Sequence, residues 1–115
     1  MRENNRQTGG KYERLIAEYL EKQGMKILEA NYRCRSGEID LVAADGRFLV
    51  FVEVKYRKNR SMGSALEAVT PRKAAQVRRT AEYYLFEKRL PEDTPCRFDA
   101  AAVDGEIITY LKNAF

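Results

Sequence analysis

Glu38, Asp40, Glu53 and Lys55 sit inside two otherwise apolar runs, residues 37–44 and 47–55. Charges are rarely placed in such runs unless they are paired or perform chemistry. Three of the four are carboxylates, and crowded carboxylates repel unless a cation joins them. Oxygen donors suit a hard divalent ion such as Mg²⁺ or Mn²⁺. The chain holds no histidine. That removes His-dependent nucleases, Ser-His-Asp and Cys-His nucleophilic systems, and His-ligated zinc. Hydrolytic chemistry here must come from carboxylates, lysine and a metal.

The elements that would position these residues follow from the same stretch. Asp45-Gly46 between the two runs is a strong hairpin signal, since a type I′ turn needs φ > 0 at both central residues. With those two as the loop, Ala44 faces Arg47, Asp40 faces Phe51 and Glu38 faces Glu53. Residues opposite each other, or two apart on one strand, share a face. All four charged residues then lie on one face, with Asp40 diagonal to Glu53. A one-residue slip would undo this geometry. Val50, Val52 and Val54 make the other face of the second strand apolar, so that strand is expected to be central and covered on both sides.

Around the hairpin, residues 1–9 read as a disordered tail. Residues 10–23 read as an amphipathic helix carrying Tyr12, Leu15, Ile16, Tyr19 and Leu20, closed by Gly24. Glu13 borders that stripe. It is either a first-turn acid favoured by the helix dipole or an acid leaning toward whatever the helix covers. Residues 25–33 form a short strand candidate, followed by a basic loop. After the hairpin, residues 55–60 hold four basic residues in six (Lys55, Arg57, Lys58, Arg60), and residues 61–64 read as a flexible loop. A basic run is usually a solvated edge, but this one follows directly on the acidic face, which favours phosphate contact. Residues 65–69 suggest a short helical turn.

Thr70-Pro71 then starts a helix running to about residue 89. Its buried stripe is Ala74, Val77, Ala81, Tyr84 and Leu85. Arg72, Lys73, Gln76, Arg79 and Thr80 leave its first half basic, so a phosphate could be held by side chains and helix N-terminus together. Residues 96–103 and 106–111 are strands joined at Asp104-Gly105. Asp99 reads as a structural acid partnered by a nearby Arg or Lys. The order α-β-β-β-α-β-β indicates an α/β fold, a mixed five-stranded sheet with helices packed on it.

With 115 residues, a net charge of +4 and 44% hydrophobic residues, the chain is sized for one domain, residues 10–115, with an anionic partner favoured. No run is long enough to span a membrane. The polar first ten residues are unlike a signal peptide, and Cys34 and Cys96 suit free thiols, so a cytoplasmic location is expected.

Asp40 followed after twelve residues by Glu53-Val54-Lys55 resembles the PD-(D/E)xK nuclease motif. Gly37-Glu38-Ile39-Asp40-Leu41 with Phe51-Val52-Glu53-Val54-Lys55 resembles the signature of the YraN-like family of small bacterial proteins. That family is similar in fold to restriction endonucleases and archaeal Holliday-junction resolvases. Ala17 to Leu20, Asn31-Tyr32-Arg33, Val69 to Lys73 and Arg97-Phe98-Asp99 extend the likeness over nearly the whole chain. Tyr12 stands where the family often has Gly, and no Pro precedes Asp40.

The resemblance implies a restriction-endonuclease-like fold and a metal-dependent DNA endonuclease acting in DNA processing. Asp40 and Glu53 would be the metal ligands, joined by the Val54 carbonyl. Glu13 would match the helix-borne acid of the resolvases. Lys55 would position or activate water, and Glu38 would extend the site to a second metal or shape it. The cofactor would be Mg²⁺ or Mn²⁺. Arg57, Lys58, Arg60, Arg72, Lys73, Gln76 and Arg79 would hold the nucleic-acid backbone. No finger, helix-turn-helix or aromatic stacking platform is legible, so branched or single-stranded DNA is a better substrate than a sequence. RNA is the alternative polymer, and a homodimer is expected by similarity to the resolvases. The competing readings are a non-cleaving nucleic-acid-binding module on a nuclease fold and a protein-interaction domain.

Overall fold

The structure, a computed structural model, describes residues 2–57, 70–105 and 107–115, and the side chains of all of these except 2–9 and 57. Lys58, Arg60, the loop at 61–64 and the helical turn at 65–69 lie outside the described residues.

The elements are α1 (Arg2–Lys22), β1 (Lys26–Cys34), β2 (Gly37–Asp45), β3 (Phe48–Arg57), α2 (Pro71–Glu87), β4 (Cys96–Asp104) and β5 (Ile107–Leu111). This is the expected α-β-β-β-α-β-β order. The five strands form one sheet in the order β1-β2-β3-β4-β5. β3 and β4 are parallel, joined through α2, and the other neighbours are antiparallel. The sheet is therefore mixed, as expected, with β3 at its centre. Val50 and Val52 pack with Ile16 and Leu20 of α1 on one side. Phe51 packs with Val77 and Tyr84 of α2 on the other.

α1 takes in positions 2–9, which the sequence reading leaves as a tail. No proline interrupts them, and Arg, Glu and Gln extend a helix at small cost once packing further along has nucleated it. Gly24, at φ +96°, closes it. The Met25 N–H donates to the Leu20 carbonyl and the Gly24 N–H to the Glu21 carbonyl, each at 3.0 Å. That pair of bonds is how a glycine-terminated helix satisfies its last carbonyls. Leu15, expected in the buried stripe, is exposed because it lies at the stripe's margin, while Ile16 and Leu20 are fully buried.

α2 starts as its sequence indicates, with Thr70 Oγ1 accepting from the Lys73 N–H at 3.1 Å and Pro71 in the first turn. It stops at Glu87, short of residue 89. Arg89 adopts φ +57°, and the Leu90 N–H closes onto the Leu85 carbonyl at 2.8 Å. Pro91 disfavours helical backbone at Leu90, so the chain turns out before it. Thr80 belongs to the buried side, where its hydroxyl donates to the Gln76 carbonyl at 2.9 Å.

The hairpin register differs from the expected one by two residues. Asp45 pairs with Phe48, and Leu41 with Val52. The loop is Gly46-Arg47, with Gly46 at φ +60°, and Asp45 is the last residue of the ladder. The second hairpin repeats the pattern, with Asp104 pairing with Ile107 and Gly105 at φ +66°. In the first hairpin positive φ falls on Gly46 and not on Arg47, as a type II′ turn requires. In the ladder, Asp45 is held by Arg97 Nη1 at 2.9 Å, a contact that favours this register.

A shift of two keeps each residue on its face but changes its partner. Glu38 no longer faces Glu53, and continuing the register brings Asp40 opposite Glu53. The β2–β3 ladder ends at Leu41↔Val52, while β1–β2 runs on to Cys34↔Gly37 and β3–β4 to Arg57↔Asp104. The sheet thus forks beyond Leu41. On β4, paired with Val52, Asp99 is fully buried and accepts from Arg97, the Tyr110 hydroxyl and the Asn113 N–H. It is the structural acid its sequence context suggests.

Candidate functional site

The acids gather where the sheet divides. Ala30 pairs with Leu41 and Tyr32 with Ile39. Leu41 packs on the α1 side, whereas Tyr32 and Ile39 pack on the α2 side. Strict alternation would keep Leu41 and Ile39 on one face. Both strands therefore roll over together at the intervening residues, Asn31 and Asp40. Asn31 makes this turn at φ +56°, a conformation asparagine tolerates better than most residues.

The roll aims Asp40 at β3. Its Oδ2 accepts the Val54 N–H at 2.7 Å, taking over a backbone donor at the point where the ladder ends. It also shares a hydrogen bond with Glu53. Burial, then the neighbouring Glu53 charge, pushes the Asp40 pKa up to about 8, although the Val54 bond pulls the other way. Two carboxylates this close resist double ionisation.

Glu53 is only 5% exposed, and Lys73 Nζ lies 2.9 Å from its Oε2. Burial alone would lower the Lys73 pKa, but the hydrogen bond and charge of Glu53 outweigh it and raise it. Glu13 reaches the same place from α1. Burial raises its pKa, a hydrogen bond from Asn31 opposes this, and the charges of Glu38 and Glu53 add to the rise. Glu13 is therefore half-buried and within electrostatic reach of Glu53, and, with α1 starting at Arg2, it is not a first-turn acid of its helix.

Glu38 is drawn aside. It pairs with Arg33 across β1–β2, Nε to Oε2 at 3.1 Å, and is half exposed. The roll at Asp40 also breaks the alternation that would have put the two acids on one face. Lys55 is half-buried two residues beyond Glu53 on β3, opposite Ala102 of β4.

The basic residues divide. Arg72 and Arg79 are exposed on α2, available to a backbone phosphate. Arg57 ends β3. Lys73 faces inward to the acids. Gln76 packs under Gly37, where an added Cβ would come 2.7 Å from its Nε2. Gly37, at φ +146°, is thus required both by its backbone and by the side chain above it. Arg33, Gly37, Glu38, Lys73 and Gln76 border a shallow cleft of about 350 Å³ beside the fork. A larger one, about 750 Å³, opens at the far end of α2 around Leu85, Phe86 and Leu90. Neither cleft is lined by Asp40 or Glu53, but the first is tied to them through Lys73, which borders it and reaches Glu53.

A stacked aromatic pair, not legible in the sequence, is present. Tyr12 and Tyr56 lie with ring centroids 3.9 Å apart and planes at 15°. They adjoin Glu13 and Lys55 in the chain, and Tyr56 is 38% exposed. The pairing escapes sequence reading because the two residues sit on different elements. Asn31 was equally hidden, its only signal being an asparagine within a strand pattern.

Among the described residues no three His, Cys, Asp or Glu side chains already form a metal-ligating group. Mg²⁺ does not require one. It usually takes one or two protein carboxylates and completes its shell with water and substrate phosphate. Asp40 and Glu53 fit that requirement: adjacent, all-oxygen, largely buried, and among the described residues paired with a single cation, Lys73.

Comparison with known proteins gives one consistent result. Residues 12–103 match the model of a family described as Uncharacterised protein family UPF0102. A UPF0102 protein of Lachnoclostridium phytofermentans is 54% identical over 86% of this chain and 84% of its own length. One from Alkalilimnicola ehrlichii is 44% identical over 95% of this chain and 86% of its own. A third, from Colwellia psychrerythraea, is 46% identical over 85% and 80%.

Proposed function

The chain belongs to the uncharacterised protein family UPF0102, and from that premise and the forked sheet we propose that it is a divalent-metal-dependent phosphodiester hydrolase. Its substrate is DNA, branched or single-stranded, cut for structure and not for sequence, with RNA as the alternative polymer. The observation that carries this reading is the pair of half-buried Asp40 and buried Glu53, opposed at the fork and, among the described residues, contacted by one cation, Lys73.

Asp40 and Glu53, with the Val54 carbonyl and Glu13, would hold Mg²⁺ or Mn²⁺. Such an ion, when bound, polarises a phosphate oxygen and acidifies water. The rest falls to the chain's own groups. Lys55, beside Glu53 on β3, orients the attacking water and offers a fixed positive charge to the developing phosphorane. Arg72 and Arg79, exposed on α2, hold the phosphate backbone, and Arg57, at the end of β3, is a further basic residue for it. Glu38, tied to Arg33, keeps β1 and β2 together where they leave the sheet. The exposed Tyr56 face, backed by Tyr12, suits stacking of an unpaired base, which supports a single-stranded or branched substrate.

The test is cleavage of nicked, branched and single-stranded DNA with Mn²⁺ or Mg²⁺, by wild type and by Asp40→Asn. Wild type is expected to cut at least one substrate, and the variant to lose at least about a hundredfold in rate while still binding DNA. Failure of wild type on every substrate would sink the proposal. One observation favours a second reading, a binding module that does not cut: Lys73 already occupies Glu53. Retained DNA binding with no cleavage under any metal would select it.

A further inference from the structure

We propose that Lys73 is an exchangeable counter-ion of the acidic centre, holding Glu53 in the metal-free protein and released from it when a divalent cation enters. The inference rests on the functional reading above and adds to it a device within α2.

Among the described residues Lys73 is the one cation in an ion pair with Asp40 or Glu53. Its Nζ lies 2.9 Å from Glu53 Oε2, with the lysine side chain 27% and the glutamate 5% exposed. A buried carboxylate without a counter-charge is costly, so in the absence of metal this lysine supplies the counter-charge of Glu53 inside the fold. A divalent ion offers the same oxygens twice the charge. The two cations cannot share one site, so binding of one displaces the other.

The placement of Lys73 makes release easy. It is the third residue of α2, where its own N–H is capped by Thr70 Oγ1 at 3.1 Å. The backbone is thereby fixed while the side chain stays free to swing. Lys73 also lines the shallow cleft with Arg33, Glu38 and Gln76. Once freed, its ammonium points into the space a phosphate would fill, next to the exposed Arg72. Metal entry therefore adds one cation to the acids and returns another to the anion side. The consequence is positive coupling: metal raises affinity for phosphate, and phosphate raises affinity for metal by the same factor.

The test uses Mn²⁺ alone, titrated into the full-length chain and read by loss of the free Mn²⁺ paramagnetic resonance signal. Wild type is compared with Lys73→Met, Lys73→Gln and Arg78→Met. The last removes the same charge from an exposed position on α2 where the guanidinium bonds the Phe115 main-chain oxygen, away from Asp40 and Glu53. Lys73→Met and Lys73→Gln are expected to bind Mn²⁺ about tenfold more tightly than wild type. That is the size expected for loss of one contacting charge partly screened by solvent. Arg78→Met is expected to change affinity less than about threefold, as a screened charge at a distance should.

Unchanged or weaker binding in both Lys73 variants overturns the proposal, as does an equal gain in Arg78→Met. Lys73→Gln keeps a polar group at the position should Lys73→Met fail to fold. Asp40→Asn separates the two levels of inference. Where wild type binds Mn²⁺ and Asp40→Asn does not, but the Lys73 variants match wild type, only the exchange fails. Where no variant binds Mn²⁺, the functional reading falls with it.

Discussion

At the residue scale the molecule is governed by the unequal treatment of its acids. Asp99 is fully buried, yet Arg97, Tyr110 and the Asn113 N–H satisfy it completely enough to make it part of the framework. That role was legible, because Arg97 and Asp99 are two apart on a strand and share a face. Asp40 receives one backbone bond and a carboxylate neighbour, and its pKa rises from its ordinary 3.8 to about 8. The sign of the resulting pH dependence follows. Below about pH 4 the group is neutral folded and unfolded alike. Between about 4 and 8 the unfolded chain gives up the proton while the folded one keeps it, so stability falls as pH rises, then levels off. Metal-free wild type is expected to lose more thermal stability between pH 5 and 8.5 than Asp40→Asn does. Melting curves in the presence of a chelator measure it, and parallel losses in the two proteins would contradict the assignment.

At the element scale, turn chemistry explains both what sequence reading captured and what it lost. Thr70-Pro71 and Gly24 marked helix ends correctly, because capping depends on a few adjacent residues. The two Asp-Gly pairs marked hairpins correctly but misplaced their loops. The ladder kept each aspartate, and glycine took the first loop position. Composition cannot separate those registers when both give a two-residue loop; the contact from Arg97 to Asp45 can, and it crosses the sheet. The roll at Asn31 and Asp40 was out of reach for a similar reason, since it depends on two strands changing face together. Thr70→Ala is expected to cost about 1 kcal/mol in urea unfolding, by removing the acceptor for the Lys73 N–H. A change within about 0.2 kcal/mol would show that the cap contributes nothing to α2.

At the scale of the whole molecule, the order of elements and the mixed sheet were legible because long amphipathic and alternating segments dominate the chain. The acidic centre was legible as residue types and only partly as geometry. Asp40 and Glu53 lie together with Glu13 in electrostatic reach, Glu38 turns aside to Arg33, and Lys73 moves from the expected phosphate-binding set to a contact with Glu53. Among the described residues no helix is long and apolar enough to cross a membrane. The net charge of +4 suits an anionic polymer. Cutting both strands of a branched substrate calls for paired centres, so light scattering with branched DNA is expected to show two 13.3 kDa chains per complex. A single chain per complex, and a monomer without DNA, would count against paired cutting.

The account rests on the fork of the sheet being a divalent-metal site. Anomalous scattering from a crystal soaked in Mn²⁺ tests that most directly. The predicted result is a single strong peak between the Asp40 and Glu53 carboxylates, within reach of the Val54 carbonyl, with Lys73 drawn off Glu53. No peak there at saturating Mn²⁺, with the Lys73–Glu53 contact intact, would contradict it.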